Sequence, residues 1–402
     1  MKQTDTTIKC NVKQYRMANG WSQRQLADMI NVRRQAIYDI ENGRYMPNTG
    51  IALRLAKLFG CRVEDLFTEE EQGDHQTVHL INGEKTPFAR LALGRVRNRL
   101  IGIPLKGARS TPFGLLPADG LLDQQGEKAQ IFSSQQIEKT IILMGCDPAF
   151  EILNHHISRF SPQSRIHCLF ASSNQALSNL ADGMTHIAGT HFHNSGEKES
   201  NVEIASRKLG GMKAHIIGFS LLEEGLMVAK NNPLGIRSVA DLAQPMVRFV
   251  NRDPGAALRT LLDDLLAREG INGSDITGYH NEAASHREGA YQIACHVADA
   301  ALGLRVIAEI YGLDFVPLTS VRCDLVIPDD MMNHPTVKVL TDILQSSMLQ
   351  NEINAIPGYE SSATGKVIAD SYKALNRFNV HSIWVWQCFF WWKRHFFCGS
   401  GE

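Results

Sequence analysis

The 402-residue sequence predicts a multidomain chain: a small all-α bundle, then a short β-rich unit, then a long α/β portion. Three observations carry this. Apolar residues recur at helical spacing over 8–68, short β-like runs alternate with Gly and Pro over 77–138, and apolar runs alternate with helical stretches over 139–375. At roughly 150 residues per domain, two or three domains are expected. With 44% hydrophobic and 21% charged residues, collagenous, coiled-coil and wholly disordered readings drop out.

The bundle reads as short helices at Val12 to Ala18, Ser22 to Ile30, Arg33 to Asn42, Gly50 to Phe59 and Val63 to Phe67. Its stripes are Leu26, Ala27 and Ile30, then Ala36, Ile37 and Ile40, then Leu55, Leu58 and Phe59. The acidic run starting at Glu69 has no apolar partner and reads as a solvated linker, 69–76. The connector 77–138 reads as a small antiparallel β unit on Val78 to Ile81, Phe88 to Leu93 and Leu100 to Ile103, with no readable function. Over 139–375 the runs Thr140 to Met144, Arg165 to Phe170, His215 to Phe219, Leu226 to Ala229, Met246 to Val250 and Asp324 to Ile327 imply parallel sheets flanked by helices. The tail, 376–402, differs from everything before it: Ser382 to Cys398 holds four of the five Trp. It reads foremost as a non-native extension, with packing against another subunit or interfacial membrane contact as alternatives.

No uncharged apolar stretch nears the ~20 residues of a membrane span, and Met1 to Cys10 lacks the apolar core of a signal peptide, so a cytoplasmic location is expected. The eight cysteines form no C-x-x-C pair and read as reduced thiols. Net charge is −1, yet Met1 to Thr68 carries four Lys and seven Arg against four Asp and two Glu, a net +5. A basic head on a mildly acidic body points to a polyanion partner for the head alone.

Within that head Ser22 can cap one helix, Asn31 tolerates a left-handed turn, and Arg33 begins a second helix whose outward face carries Arg33, Arg34, Gln35 and Tyr38. Two helices so joined place the second in the DNA major groove, where Arg and Gln read guanine and adenine edges. The stretch resembles the Cro and phage-repressor (XRE) type of helix-turn-helix regulator. The resemblance lies in Trp21-Ser22-Gln23, Leu26-Ala27, Val32 to Ile37, Ile40-Glu41-Asn42-Gly43-Arg44 and Pro47, within residues 8–68. It implies that Gln23, Arg44 and Asn48 contact phosphate and that Arg33, Arg34, Gln35 and Tyr38 read bases. The family usually has a small capping residue where this chain has Arg33, so the second helix is expected to start less well capped. Useful specificity from so small a head normally needs two copies on a two-fold site, so a homodimer on double-stranded operator DNA is expected. A helical protein-interaction module with solvated arginines is the competing reading.

In the α/β portion three strand-to-helix turns present polar groups where parallel sheets bind ligands: Gly145-Cys146-Asp147-Pro148, Ala171-Ser172-Ser173-Asn174 and Asn251-Arg252-Asp253-Pro254-Gly255. Asp147 stands at a capping position and Pro148 at the first helical one. The whole of 139–375 resembles the type II periplasmic-binding-protein fold, in its cytoplasmic, molybdate-binding-like version. That rests on those turns with Ala181-Asp182-Gly183, Ala188-Gly189-Thr190-His191, Arg259 to Asp263, His286, Leu313 to Leu318, Arg322 to Pro328 and Pro357-Gly358-Tyr359. The resemblance implies two α/β lobes, hinged near 229–232 and 316–323, closing on a small-molecule effector, with molybdate or tungstate as candidates. Cys146, Asp147, Ser172, Ser173, Asn174, His191, Asn251, Arg252, Gly255, Arg259, His286 and Arg322 are the candidate ligand residues. Against an oxyanion stands Ala256-Ala257-Leu258, where family members often carry Ser-Gly-Thr.

Bland alternatives stay open. Ser172 or Ser173 serves equally as a helix cap, Arg259 as the partner of Asp263, and His286 as a satisfied lobe residue. His191 and His193, two apart with no third ligand, do not make an expected metal site. The chain shows no G-x-S-x-G, P-loop, G-x-G-x-x-G or H-E-x-x-H, so neither catalysis nor a cofactor is expected. The leading expectation is a ligand-responsive transcription regulator. The alternatives are a regulator sensing an organic metabolite, a binding or biosynthetic protein of molybdenum-cofactor metabolism, and a transport-type solute receptor.

Overall fold

A computed structural model describes residues 7–70, 75–81, 83, 85–105, 116–194 and 199–370. Residues 71–74 of the expected linker, 371–375 and the aromatic tail 376–402 lie outside them. The head folds as α1 (Val12–Ala18), α2 (Gln23–Met29), α3 (Arg34–Glu41), α4 (Thr49–Phe59) and α5 (Val63–Leu66), clasped by β1 (Thr7–Cys10) against β2 (Phe67–Glu70). Val12, Leu26, Ile37, Ile40, Leu55 and Leu66 form its buried centre, and Trp21 stacks on Phe59. At the head of α2 the Ser22 hydroxyl accepts the Gln25 N–H at 3.2 Å, and the Gln25 side chain accepts the Ser22 N–H at 2.8 Å. Asn31 takes the left-handed turn at φ 55°. Arg33 caps α3 with no side-chain bond to its first-turn N–H groups. Glu69 and Glu70, expected in the linker, instead pair with Ile8 and Thr7, because the strand ladder satisfies backbone groups that a loop would leave to water.

Strands β3 (His75–Leu80), β4 (Arg90–Val96), β5 (Arg99–Pro104), β6 (Gly120–Leu122) and β7 (Lys128–Ile131) close into a barrel in the order β3-β5-β4-β6-β7. The sequence implied an antiparallel unit. One pair, β3–β5, is parallel, and it closes the ring. After α6 (Ser134–Ile137) the barrel docks against the α/β portion: Arg97 pairs with Asp330 at 2.6 Å, and Arg99 donates to the carbonyls of Asp182 and Gly183. From the barrel, buried Asp119 meets Arg165 at 2.7 Å and His167 at 3.0 Å.

The α/β portion runs β8 (Thr140–Gly145), α7 (Phe150–Phe160), β9 (Arg165–Phe170), α8 (Ser173–Ala181), β10 (Ile187–Thr190), α9 (Ser200–Lys208), β11 (Ala214–Val228), β12 (Phe249–Arg252) and α10 (Ala257–Arg268). It continues β13 (Glu282–Ala283), α11 (His286–Ala294), β14 (Ala300–Leu304), α12 (Arg305–Ile310), β15 (Asp314–Pro328), α13 (Pro335–Leu344), α14 (Ser347–Asn354), β16 (Tyr359–Glu360) and β17 (Val367–Asp370). The sheet order is β13-β12-β14-β11-β15-β10-β8-β9, with β16 and β17 also on β11. A first lobe gathers β8, β9 and β10 around one end of the antiparallel β11–β15 pair, and a second lobe gathers β12, β13 and β14 around the other.

The hinge therefore differs from the expected 229–232. Ala214 to Val228 is a single 15-residue strand, although Glu223 and Glu224 interrupt its apolar pattern and make it read as two short ones. Register shifts at Gly218/Ser220 and Glu224/Gly225 bracket its crossing between lobes, opposite Thr319 to Cys323 of β15. At the second shift a Cβ on Gly225 would stand 2.1 Å from the Val316 carbonyl oxygen, so the close strand approach requires glycine.

Candidate functional site

On the head, α3 presents Arg34, Gln35 and Tyr38 to solvent with Arg33 at its start, and the Arg44 guanidinium lies 5.6 Å from the Tyr38 ring centre. Gln35 donates to Asp39 at 3.1 Å, pre-setting its side chain along the helix. Gln23 donates to Glu41 at 2.9 Å, and Glu41, almost wholly buried, also holds Arg16 at 2.6 Å. That triad locks the start of α2 to the end of α3. Asn48 accepts the Ile51 N–H at 3.0 Å as the cap of α4.

The two lobes bring a smaller set of the candidate ligand residues together than the sequence proposed. Cys146 and Asp147 leave the end of β8, His191 follows β10, and Arg252 with His286 face them from the second lobe. Cys146 Sγ lies 3.3 Å from His191 Nδ1, and the Ser173 hydroxyl accepts the His191 N–H at 3.1 Å. Across the gap Arg252, 4% exposed, contacts His286 at 3.0 Å. Phe170 of the first lobe stands 5.9 Å from the Arg252 guanidinium and edge-on to His286. Asp253, half-exposed, is the acid paired with Arg252, at 3.6 Å.

Charge at this meeting point is uneven. Burial alone would strip His191 of its proton, but the Cys146 sulfur, then Glu224 and Asp147, outweigh it and push the pKa up to about 10. Burial holds His286 neutral, well below the usual imidazole range, with the charges of Arg252 and His191 adding to the effect. Asp147 is raised by burial against three donors: the Ala149 N–H at 2.9 Å, the Tyr359 hydroxyl at 2.8 Å and the Ser220 hydroxyl at 2.9 Å. Its carboxylate is thus committed to its own turn and to β11 and β16. The helix it precedes starts at Phe150, two residues beyond the expected Pro148.

Other candidates are engaged elsewhere. Arg259 pairs with Asp263 at 3.0 Å and stacks 4.1 Å from the Tyr279 ring centre, the helix-face pairing that sequence left open. Asn251 uses its side chain on the Tyr279 carbonyl and the Arg252 N–H. Arg322 is held by Asp324 at 2.8 Å and Glu199 at 2.6 Å. Ser172 caps α8, while Asn174 and Gly255 are exposed at helix starts. Sequence reasoning missed Phe170, Ser220, Glu224 and Tyr359. Glu224 is the most informative: fully buried on the crossing span of β11, it takes His193 at 2.6 Å and His191 at 3.4 Å. A pair of glutamates inside an apolar run was the signal that could have found it.

Comparison with known proteins agrees with this division. Residues 155–345 match the PBP superfamily domain, and residues 12–66 match the helix-turn-helix domain. An HTH-type transcriptional regulator of Methanocaldococcus jannaschii is 39% identical over 64 residues, covering 16% of this chain and 97% of that one. The chain belongs to the HTH-type transcriptional regulators. Over 231 residues the regulator is also 29% identical to the uncharacterized protein YvgK of Bacillus subtilis, covering 58% of this chain and 74% of that one. A phosphate ABC transporter substrate-binding protein from Clostridium perfringens, solved with bound phosphate, aligns over 54% of the regulator and 96% of itself at TM-score 0.42 and 12% identity. By its two family matches the regulator joins a helix-turn-helix head to a PBP-type domain. Among the described residues no helix is long and apolar enough to cross a membrane.

Proposed function

We propose that the regulator binds a two-fold operator as a homodimer through α3 and that its interlobe cleft senses a small anion, with molybdate and tungstate as the first oxyanions to try. The observation supporting an anion is Arg252: its guanidinium is buried at the lobe junction beside a neutral histidine, an aromatic ring and the Ala283 carbonyl, and its nearest acid, Asp253 at 3.6 Å, is half-exposed. An anion there satisfies a charge that burial otherwise penalises. Phe170 favours a second occupant, a small organic anion with a flat apolar body, because the ring borders the same guanidinium.

Lobe closure on the anion would then alter the relation between two DNA heads. For a tenfold change in operator affinity the ligand must distinguish two states by ~1.4 kcal/mol. The test is a melting screen of the full chain with molybdate, tungstate, sulfate, phosphate and small carboxylates, followed by operator anisotropy with each hit. At 100 times its Kd a ligand adds ~2.7 kcal/mol to the folded state. A hit that stabilises the chain but leaves operator affinity unchanged overturns the coupling; silence from every anion overturns the anion.

A further inference from the structure

The cleft holds chemistry that anion sensing does not use. Cys146 is 7% exposed, yet its sulfur faces an imidazole at 3.3 Å instead of apolar neighbours alone. Beside the same imidazole stands Glu224, fully buried, with Oε1 3.4 Å from His191 Nε2, a nitrogen that also lies 3.5 Å from Cys146 Sγ, and with no hydrogen bond of its own. Its other oxygen is fixed by His193 at 2.6 Å. A sulfur and a buried carboxylate oxygen gathered on one histidine are the groups an activated nucleophile uses: nucleophile, proton carrier, third group. Two other thiols, half-buried Cys168 and buried Cys323, differ. Cys168 meets a backbone carbonyl at 3.7 Å, and burial raises both Cys168 and Cys323 well above the ordinary thiol range.

We propose that Cys146 is a nucleophilic thiol and that the cleft takes a small anionic electrophile, whose reactive carbon meets the sulfur while its charge meets Arg252. The imidazole 3.3 Å from the sulfur is placed to carry the proton that the attack displaces. With a haloacetate, the sulfur lone pair forms the S–C bond and the halide leaves with the C–halogen pair. With an unsaturated carboxylate, the π pair moves to the α-carbon, which takes the His191 proton. Neither step requires an oxidant. The charge preference rests on the anion reading above, whereas the reactivity of Cys146 does not, and the test separates them.

The full chain is labelled in timed reactions with iodoacetamide, which is neutral, and with iodoacetate, which is anionic, and each cysteine is followed by peptide mass spectrometry. Exposed Cys295 is the internal standard and buried Cys323 the reporter of an intact fold. The expected result is that Cys146 reacts about tenfold faster than Cys295 with iodoacetamide. Cys146 should also show the higher iodoacetate-to-iodoacetamide ratio. His191→Gln should slow both reagents at Cys146 and leave Cys295 unchanged, and Arg252→Gln should slow iodoacetate alone. If His191→Gln exposes Cys323 to label, Glu224→Gln replaces it, with the same slowing expected. Cys146 reacting no faster than Cys295 in the native chain overturns the nucleophile whatever the variants do. Equal reagent ratios at the two cysteines overturn only the anionic ligand.

Discussion

His191 and His186 make the stability of the regulator depend on pH in opposite directions. The folded-state value of about 10 for His191 lies above the 6.5 of a free imidazole, so its contribution is complete below about pH 6.5 and is lost as pH rises toward 10. His186 is the reverse case. Burial, with the charge of His334 adding to it, takes it down to about 3, and its neutral ring accepts the Ile142 N–H at 2.9 Å while Nε2 meets the Arg95 carbonyl at 3.0 Å. That contribution is present above pH 6.5 and is lost as pH falls toward 3. Urea titrations across pH are expected to give a plateau near neutrality falling on both sides. His191→Gln should flatten the alkaline fall, which is on the order of a few kcal/mol, and His186→Gln the acid one. An alkaline limb unchanged by His191→Gln would show that the imidazolium does not carry it. Cys146 and His191 were both legible in the sequence as cleft residues. Their partner Glu224 was not, because only the folded strand shows that a glutamate beside Glu223 is buried.

At the cap of α3, Arg33 is expected to set stability against binding. Arg33 caps α3 without a side-chain bond, where serine would accept a first-turn N–H. Arg33→Ser is expected to raise the stability of the head by about 1 kcal/mol. It should also weaken operator binding and relax specificity at the base Arg33 reads. Calorimetric melting and anisotropy on single-base operator variants check the two halves separately. Tighter operator binding by the serine variant would remove Arg33 from the DNA face. Helices α2 and α3 were readable because their determinants are local: a serine with a glutamine three residues on, an asparagine at the turn and apolar residues at helical spacing. The crossing strand β11 was not, because its continuity depends on pairing with β15, some hundred residues away in sequence.

At the scale of the molecule, barrel and first lobe are joined by buried charge. Asp119 accepts the Leu93 N–H at 2.8 Å and holds Arg165 and His167; these donors together outweigh the burial that would raise it and keep its carboxyl below the usual range. Asp119→Asn leaves the Arg165 charge without its acid and is expected to cost about 3 kcal/mol. A second effect should follow, in which protease nicks the barrel before the lobes unfold. A variant that still melts as one unit with unchanged midpoint would show that Asp119 does not join the two bodies. The two-lobed division came from the family resemblance, since alternating strands and helices implied only parallel sheets and the sheet is mixed, while the barrel was legible only as scattered β runs, since its closure needs the one parallel pair.

The lobes are connected by two strands hydrogen-bonded to each other along the crossing, with a register shift at either end of it. Such a band resists stretching and in-plane shear far more than torsion, so it works as a suspension wire does in a balance. If the proposed anion turns one lobe against the other, the band is expected to fix the axis of that turn and the occupant its extent. Because Ser220 and Glu224 lie on the wire and touch Asp147, His191 and His193, the occupant's grip and the twist it produces are a single mechanical event.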